Sequence, residues 1–298
     1  MLAGSSDTGV QAPAQIQRRS PGRLALRRFT SNRLAVFGAV FILLLVVLAT
    51  FAPWLTPYTP QEVNLQAYRN PPSAEHLLGT DSSGRDVLTR LLYAGRVSLS
   101  VGLAAALGAG LVGLILGSVA GMVGGRVDSI IMRTADVVLS FPSLVIVIVF
   151  AGLFGPSLRT IILALALFEW PTASRIARGL TLSLREREFV EAARAIGSSE
   201  FRVMVRHIVP AVLPPLAVVV TLLVAQAILV ESALSFLGYG VQPPTASWGN
   251  MLTEAQSLTI LSRMPWLWLS PGSLIALTVL AVNFVGDGLR DAVDPNQT

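Results

Sequence analysis

Long apolar runs separated by shorter polar segments form the dominant pattern of the chain. The runs are about 18 residues or longer, which is close to the length that an α-helix needs to cross the hydrocarbon core of a bilayer. Only helices and closed barrels satisfy every backbone polar group in lipid. The pattern therefore predicts an all-α polytopic membrane protein with six transmembrane helices. Five are expected near residues 34–52, 97–123, 135–154, 211–237 and 266–285, and the other starts near Leu158 and runs for about 20 residues.

The polar segments divide the chain into three parts. Residues 1–33 form an arginine-rich N-terminal segment, of which 23–32 is expected to be an amphipathic elbow on the membrane surface. Residues 34–96 hold the first span and a proline-rich extracytoplasmic loop. Residues 97–298 hold the other five spans, with a second outside loop between the last two.

Composition supports the assignment as a membrane protein and predicts how the chain is oriented across the membrane. Of the 298 residues, 53% are hydrophobic and 13% are charged, whereas soluble domains carry about 25% charged residues. Lysine is absent, so all the positive charge is arginine, and cysteine is absent as well, which excludes disulfides and thiolate metal sites. Sixteen of the 22 arginines fall in segments that the six-span topology places inside. This bias predicts that both termini are cytoplasmic.

A charged, helix-prone island occupies residues 185–210, between two long apolar runs. Phe189, Ala193 and Ile196 recur at spacings of four and three, which predicts that they share one helical face. Gly197 then offers a left-handed stop, and one of the two serines that follow can cap a second helix. The predicted shape is helix, turn, helix, outside the bilayer. Such a shape suits docking into a groove on another protein.

Two carboxylates fall within or near the predicted spans. The fourth span does not end before Glu169, so Glu169, Trp170 and Pro171 are placed within or near its inner half. An ionisable group at that depth is a candidate for the translocation path, and the adjacent Trp170 is a further possible path residue. In the alternative interpretation, Glu169 faces an aqueous cavity or pairs with an arginine such as Arg175. Glu231, near the outer end of the fifth span, is the second candidate.

A glycine stripe marks the second predicted span. Gly113, Gly117 and Gly121 repeat every four residues and so lie on one helical face. In a membrane, such a stripe lets another helix approach closely. Packing against a neighbouring helix is therefore predicted here rather than a ligand site.

Several kinds of catalytic chemistry are excluded by the residues present. His76, Asp81 and Ser82 lie close together in sequence, but no nucleophile elbow accompanies them, so a structured loop is predicted. A Walker A loop needs a lysine, and the chain has none. The chain is therefore predicted not to be an enzyme and to bind no cofactor itself.

With these residues laid out, the chain resembles the permease subunits of ABC importers, specifically the C-type subunit of dipeptide, oligopeptide and nickel transporters. The importer motif reads E-A-A, three residues, Gly, nine residues and then I-x-L-P; His207 and Val209 depart from its aliphatic pair. Three further stretches carry the resemblance, at residues 76–99, 231–249 and 283–297. The residues that match the importer motif are Glu191, Ala192, Ala193, Gly197 and Pro210.

The resemblance implies a role for the island and a set of partners. In this family the island is a cytoplasmic coupling helix that seats on an ATPase subunit. The implied partners are a second homologous permease, two ABC ATPases that hold ATP and Mg²⁺, and an extracytoplasmic binding protein or lipoprotein. The implied location is the inner membrane, where the chain contacts lipid, and no nucleic-acid partner is implied. The residues implied in ATPase coupling are Glu188, Glu191, Ala192, Ala193, Gly197 and Pro210.

Alternatives remain open at the level of substrate and of class. Peptides are the first choice of substrate, nickel chelates the second and other small solutes the third. A secondary transporter would use an ion gradient and repeated halves, and no convincing repeat is seen. A membrane scaffold or channel is the other class, and neither class gives the island a purpose. Dependence of transport on ATP and on partner subunits separates these classes from an importer.

Overall fold

The computed structural model describes residues 21–293, and every regular element within that range is helical. The all-α prediction is therefore confirmed. Predictions that concern residues 1–20 and 294–298, including the start of the arginine-rich segment, lie outside the described residues. The helices of the first half are α1 Pro21–Ser31, α2 Arg33–Thr50, α3 Ala52–Leu55, α4 Val87–Val123, α5 Gly125–Leu139 and α6 Ser143–Phe154.

The second half begins with two helices that meet at Glu169, and it contains two apolar helices of 28 residues each. A π-helical turn, Met204–Ile208, joins two of its helices, and 3₁₀ turns lie at Leu65–Ala67 and Leu252–Gln256. The helices are α7 Leu158–Phe168, α8 Trp170–Leu184, α9 Glu188–Ala195, α10 Glu200–Val203, α11 Val209–Phe236, α12 Trp248–Met251, α13 Leu258–Arg263 and α14 Trp266–Val293.

Membrane-spanning capacity agrees with the predicted count. Within residues 21–293, five helical segments are long and apolar enough to cross a bilayer, and a sixth span results if the bent pair α5–α6 is counted as one. The fourth span continues past Phe168, as expected, because α7 and α8 together form the segment Leu158–Leu184. The fifth span begins earlier than predicted, at Glu200, because α10 and the π-helical turn run into α11.

The third span differs from the straight helix predicted over residues 135–154. Here α5 and α6 meet at an angle of 87°. Proline disfavours the helical conformation of the residue before it, and Pro142 follows Phe141 at the break. The apolar run is thus continuous in sequence but not in direction. Residues 125–134, which lie between the predicted second and third spans, form the first part of α5.

The second span also begins ten residues before its predicted start, at Val87. Asp86 caps this helix, since its Oδ1 accepts hydrogen bonds from the Thr89 backbone N–H at 2.7 Å and from Thr89 Oγ1 at 2.8 Å. Its Oδ2 pairs with His76 Nδ1 at 2.9 Å, and both side chains are buried. His76 therefore holds the loop against the helix start, in agreement with the structured loop that the sequence predicts.

α4 is the central helix of the bundle and packs against α2, α7, α8 and α11. The glycine stripe lies in its contact with α8. A Cβ added to Gly113 would lie 2.5 Å from Ala173 Cβ, and one added to Gly121 would lie 2.7 Å from Thr181 Cβ. A Cβ at Gly117 would overlap the Ser174 carbonyl oxygen. The predicted close helix approach is confirmed, with α8 as the neighbour.

The bundle has two polar ends, which we call the loop end and the island end. The loop end carries residues 51–86 and 237–265, joined by the 2.8 Å hydrogen bond that Ser82 Oγ donates to Glu254 Oε1. The island end carries residues 185–208 together with α1 and the end of α14. There Asn32 Nδ2 donates to Asp291 Oδ2 at 3.1 Å, which fixes the junction of α1 and α2 to α14.

Candidate docking surface and polar residues of the spans

Helix α9 ends in a turn built on Gly197. Two hydrogen bonds close this turn: the Gly197 N–H donates to the Arg194 carbonyl at 2.9 Å, and the Ser198 N–H donates to the Ala193 carbonyl at 3.1 Å. These are the two bonds of a Schellman motif, in which the residue after the cap is left-handed. Gly197 has φ +85°, a conformation that glycine adopts without steric cost. The predicted glycine turn is confirmed.

The next helix starts at Ser199 and is clasped to α9. Ser199 Oγ accepts a hydrogen bond from the Arg202 N–H at 3.4 Å, so this is the serine that caps α10. Across the turn, Arg194 donates to both carboxylate oxygens of Glu200, at 2.9 and 3.1 Å. These hydrogen bonds raise the pKa of the Arg194 guanidinium above its ordinary value. The bidentate pair fixes the angle between the two short helices.

The three residues predicted to share one face of α9 differ in burial. Val190 and Ala193 face the bundle and are 0% and 6% exposed. Phe189 is 46% exposed, and Ile196 is 83% exposed because it lies just after the last helical residue. Phe189, Ala193 and Ile196 therefore do not share one environment, because α9 ends at Ala195 and Ile196 lies beyond it.

The residues implied in ATPase coupling separate into exposed and buried groups. Glu188, Glu191, Ala192 and Gly197 are exposed at the island end. Ala193 packs inside the chain with Val203, Ile208 and Val212. Pro210 is exposed and is the second residue of α11, directly after the π-helical turn. Their contact with an ATPase stays a prediction.

Apolar side chains accompany the exposed carboxylates. Phe189, Ile196 and Phe201 are 46%, 83% and 72% exposed, and sequence reasoning did not include Phe201. An aromatic residue in a polar segment was the available signal. We call the exposed residues of this region the docking surface, because exposed apolar groups rimmed by charges are typical of protein interaction sites. Its members are Glu188, Phe189, Glu191, Ala192, Ile196, Gly197 and Phe201.

Glu169 lies at the junction of α7 and α8, near the middle of the fourth span. Its carboxylate is half-buried and accepts hydrogen bonds from Gln226 Nε2 at 3.3 and 3.4 Å. Gln226 is an exposed residue of α11 that sequence reasoning missed, although an amide inside an apolar run was a visible signal. Arg175, the alternative partner, pairs with Asp136 of α5 instead.

The other two path candidates lie inside the bundle. Trp170, the first residue of α8, is 6% exposed. Glu231 is 0% exposed and accepts hydrogen bonds from Ser235 Oγ at 2.8 Å and Ser98 Oγ at 3.2 Å. Ser98 Oγ in turn accepts from the Trp248 backbone N–H at 3.1 Å. This network joins α4, α11 and α12, and a path role for Trp170 or Glu231 stays a prediction.

Family models match two parts of the chain. The model described as "Binding-protein-dependent transport system inner membrane component" matches residues 113–298, which is more than half of the sequence. The model of the N-terminal TM domain of oligopeptide transport permease C matches residues 20–72. The chain belongs to the family of binding-protein-dependent transport system inner membrane components. It is thus a multi-pass inner-membrane permease subunit of an ABC importer, which confirms the resemblance seen in the sequence.

Curated relatives cover nearly the whole chain. The oligopeptide transport system permease protein OppC of Salmonella typhimurium is 46% identical over 94% of this chain and 93% of its own length. A putative peptide permease protein of Brucella suis is 43% identical over 92% of this chain and 91% of its own. A putative peptide transport system permease protein of Brucella abortus is 40% identical over 93% of both chains.

Proposed function

We propose that this chain forms half of the translocation path of an ATP-driven importer for di- and oligopeptides. The relatives named as peptide permeases support the substrate class, since they match more than nine-tenths of the chain. The second half of the path is a homologous permease. Two ABC ATPases carry the ATP and Mg²⁺, and an extracytoplasmic binding protein or lipoprotein delivers the peptide.

The observation that carries the coupling role is the continuity of the docking surface with the bundle. Val190, Ala193 and Val203 share one buried cluster with residues of α4, α8 and α11. α10 also runs through the π-helical turn directly into α11, which crosses the bundle. A force on α9 is therefore transmitted to the spans, because packed interiors transmit strain. The docking surface would receive that force from an ATPase at the cytoplasmic face.

The half-exposed pair Glu169 and Gln226 supports a path on the flank of the bundle. An ionisable group at membrane depth is strongly disfavoured against lipid and faces a protein partner or water. The pair lies on the surface of this chain, between α7–α8 and α11. A second permease seated against this surface would leave the carboxylate facing a shared polar path.

Transport is proposed to occur by alternating access. ATP binding closes the ATPase pair, which moves α9 and shifts the bundle from one opening to the other. The docked ATPase must bind the two bundle conformations with different affinity, because equal affinity shifts no equilibrium. The island end then faces the cytoplasm and the loop end faces outward.

Uptake by the reconstituted complex tests the proposal. Vesicles contain this chain with its partner subunits, and labelled di- and oligopeptides are offered with ATP or with an imposed proton gradient. We expect uptake that needs ATP, tolerates an ionophore and stops when the ATPases are omitted. Uptake driven by the gradient alone would overturn the importer mechanism. ATP hydrolysis without peptide uptake would overturn the substrate, and nickel chelates would be tested next.

A further inference from the structure

Helix α5 is joined to the rest of the bundle through a break at each of its ends. It follows α4 through Gly124 and Gly125, which have φ +69° and +56°. Glycine changes between backbone regions without the steric cost that other residues meet, so this pair can act as a hinge. At the other end the chain turns by 87° into α6, at a break that includes Pro142. The two breaks allow α5 to change its angle while α4 and α6 stay in place.

Apolar packing contributes little to the position of α5. Within the part of the chain that the structure describes, Ala135 is the one buried residue among the 15 of this helix. Its apolar side chains Val127, Ile130 and Val137 are exposed. Burial of apolar area is the main force that fixes one element on another. Because little apolar area of α5 is buried, its position depends on polar contacts.

Two ion pairs between described residues join α5 to α8. Arg178 donates to both carboxylate oxygens of Asp128, at 2.5 and 2.6 Å, and Arg175 donates to Asp136 Oδ1 at 2.5 Å. We call these four residues the latch. The side chains of the Arg175–Asp136 pair are 50% and 62% exposed, and those of the Arg178–Asp128 pair are 33% and 18% exposed. Ion pairs that water reaches stabilise a contact only slightly, because the solvent screens them. The latch can therefore separate at low cost.

The latch crosses a polar cleft of about 490 Å³ between α5 and α8. Clefts of about 300–1,000 Å³ are of the size that admits small molecules. The cleft lies at the island end, because Arg185 donates to the Gly121 carbonyl at 2.9 Å and α5 starts just beyond that contact. The lining consists of the four latch residues together with Ser129, Met132 and Arg133.

One side of α8 leads from the proposed path to this cleft. Glu169, Thr172 and Arg175 follow one another at spacings of three, so they lie within about one-third of the helix circumference. Glu169 is half-buried, and the other two are exposed. Charged side chains at a span are disfavoured against lipid, so this side of α8 faces water or protein. A peptide that passes Glu169 toward the island end therefore meets the cleft next.

We propose that α5 is a gate at the inner mouth of the peptide path, held shut by the latch and opened by a change of angle at its two end breaks. The gate rests on the proposed function, because it needs a translocation path to close. When both ion pairs separate, α5 moves away from α8 and the cleft widens into a passage. The separated charges stay hydrated in the cleft, so neither state leaves a charge in lipid.

Reaction of a cleft residue with a water-soluble maleimide tests the latch. Met132 lines the cleft and is half-buried, and the chain has no cysteine, so Met132→Cys is a single reporter. The whole complex is labelled in lipid nanodiscs without peptide or ATP. Asp128→Asn combined with Asp136→Asn should speed this labelling at least about threefold, because both pairs lose their charge attraction. Leu258→Cys, at the loop end, should react at one rate with and without the two asparagines. Equal rates for Met132→Cys in the two backgrounds, as expected if a second permease clamps α5, would overturn the proposal.

A covalent bridge across the latch tests whether the gate must open during transport. Asp136→Cys and Arg175→Cys are joined by a bifunctional methanethiosulfonate, whose disulfides a reducing agent removes, and mass spectrometry verifies the bridge. ATP-dependent peptide uptake should stop in the bridged protein and return after reduction. Uptake at an unchanged rate with the bridge in place would overturn the gate. Failure of the importer proposal looks different: no peptide enters even before bridging, while the Met132→Cys rates still report on the latch.

Discussion

At the scale of single residues, the contact between α4 and α8 depends on the missing side chains of three glycines. The space that a Cβ would need at Gly117 is already filled by the backbone of Ser174, which cannot move as a flexible side chain can. Gly117→Ala should therefore separate the two helices. We expect the free energy of unfolding to fall by about 1–3 kcal/mol, as in other overpacked interiors. The thermal unfolding midpoint of the detergent-solubilised chain measures the effect.

Gly152→Ala is the matched control for that substitution. Gly152 lies in α6, and a Cβ there would meet no atom within 4 Å. Alanine also has the higher helix propensity, by about 1 kcal/mol. The unfolding midpoint should stay the same or rise. Equal losses in the two variants would show that the glycine stripe has no special part in packing.

The buried network around Glu231 gives a second prediction. Ser98 Oγ donates to Glu231 and accepts the Trp248 N–H, so Ser98→Ala leaves that buried backbone donor without a partner and removes one hydrogen bond from the carboxylate. The free energy of unfolding should fall by about 1–3 kcal/mol. Ser100→Ala is the control on the same helix, because Ser100 is exposed and bonds only its own helix, at Val97. Equal thermal unfolding midpoints for the Ser98→Ala and Ser100→Ala proteins would contradict this account.

Glu169→Gln tests whether the charge on the flank of the bundle serves transport. The glutamine oxygen can still accept the Gln226 hydrogen bond, so folding and assembly should be kept. The rate of ATP-dependent peptide uptake should fall, because the negative charge facing the proposed path is removed. Uptake by reconstituted vesicles and the yield of assembled complex are measured together. Unchanged uptake would leave Glu169 with a structural role only.

Single residues were predictable from sequence where one residue type forces one geometry. The spacing of Gly113, Gly117 and Gly121 predicts a close helix crossing, and that crossing is present. Partners were not predictable, because pairings such as Glu169 with Gln226 join residues far apart in sequence. Ser82 and Glu254 are of the same kind, because their side chains meet only after folding.

At the scale of elements, apolar runs predicted the existence of helices better than their direction. The run over residues 135–154 is continuous, yet the backbone turns by 87° at Pro142. The turn was not predicted, because mean hydropathy carries no information about backbone angles. α4 begins early for the opposite reason. Arg90 was assigned to the outer loop because it is charged. Asp86, three residues before Thr89, was nevertheless a signal for a helix cap. Local chemistry outweighs hydropathy at both positions.

The helix–turn–helix of the island end gives the prediction at this scale. Gly197→Asp should abolish ATP-dependent uptake, because it adds a negative charge to a docking surface that already carries Glu188 and Glu191. The protein should still reach the membrane, since a Cβ at this position meets no atom within 4 Å. Uptake and the amount of chain in isolated membranes are measured for each variant. Uptake at the wild-type level would contradict the coupling role.

Two further substitutions at Gly197 separate backbone strain from charge. Asparagine tolerates the left-handed conformation and has nearly the shape of aspartate, so Gly197→Asn should keep most of the uptake. Gly197→Val adds no charge, but a β-branched residue at φ +85° is strained, by at least about 1–2 kcal/mol. Loss in the valine variant and retention in the asparagine variant would show that the turn itself must form. Equal loss of uptake in the two variants would show that any side chain at position 197 blocks coupling.

At the scale of the whole molecule, the two polar ends differ in what they offer. The loop end contains buried pairs such as His76 with Asp86, and it also exposes apolar residues such as Leu258. The island end groups its exposed apolar residues with the exposed carboxylates of the docking surface. Exposed apolar groups rimmed by charges are typical of protein interaction sites, so we expect the proposed ATPase to cover this surface. The arginine bias predicts that this end is cytoplasmic, and the proposed ATPase contact requires the same orientation.

Labelling with a membrane-impermeant maleimide tests both the orientation and the cover. The chain has no cysteine, so single replacements report without background. Leu258 at the loop end and Ile196 at the island end are 81% and 83% exposed, which makes them a matched pair. Leu258→Cys should react in intact spheroplasts, and Ile196→Cys only after permeabilisation. In permeabilised membranes, co-expression of the ATPases should then slow labelling of Ile196→Cys and leave Leu258→Cys unchanged, because only the docking surface is covered. Reaction of Ile196→Cys from outside would reverse the topology, and labelling insensitive to the ATPases would place their docking site elsewhere on the chain.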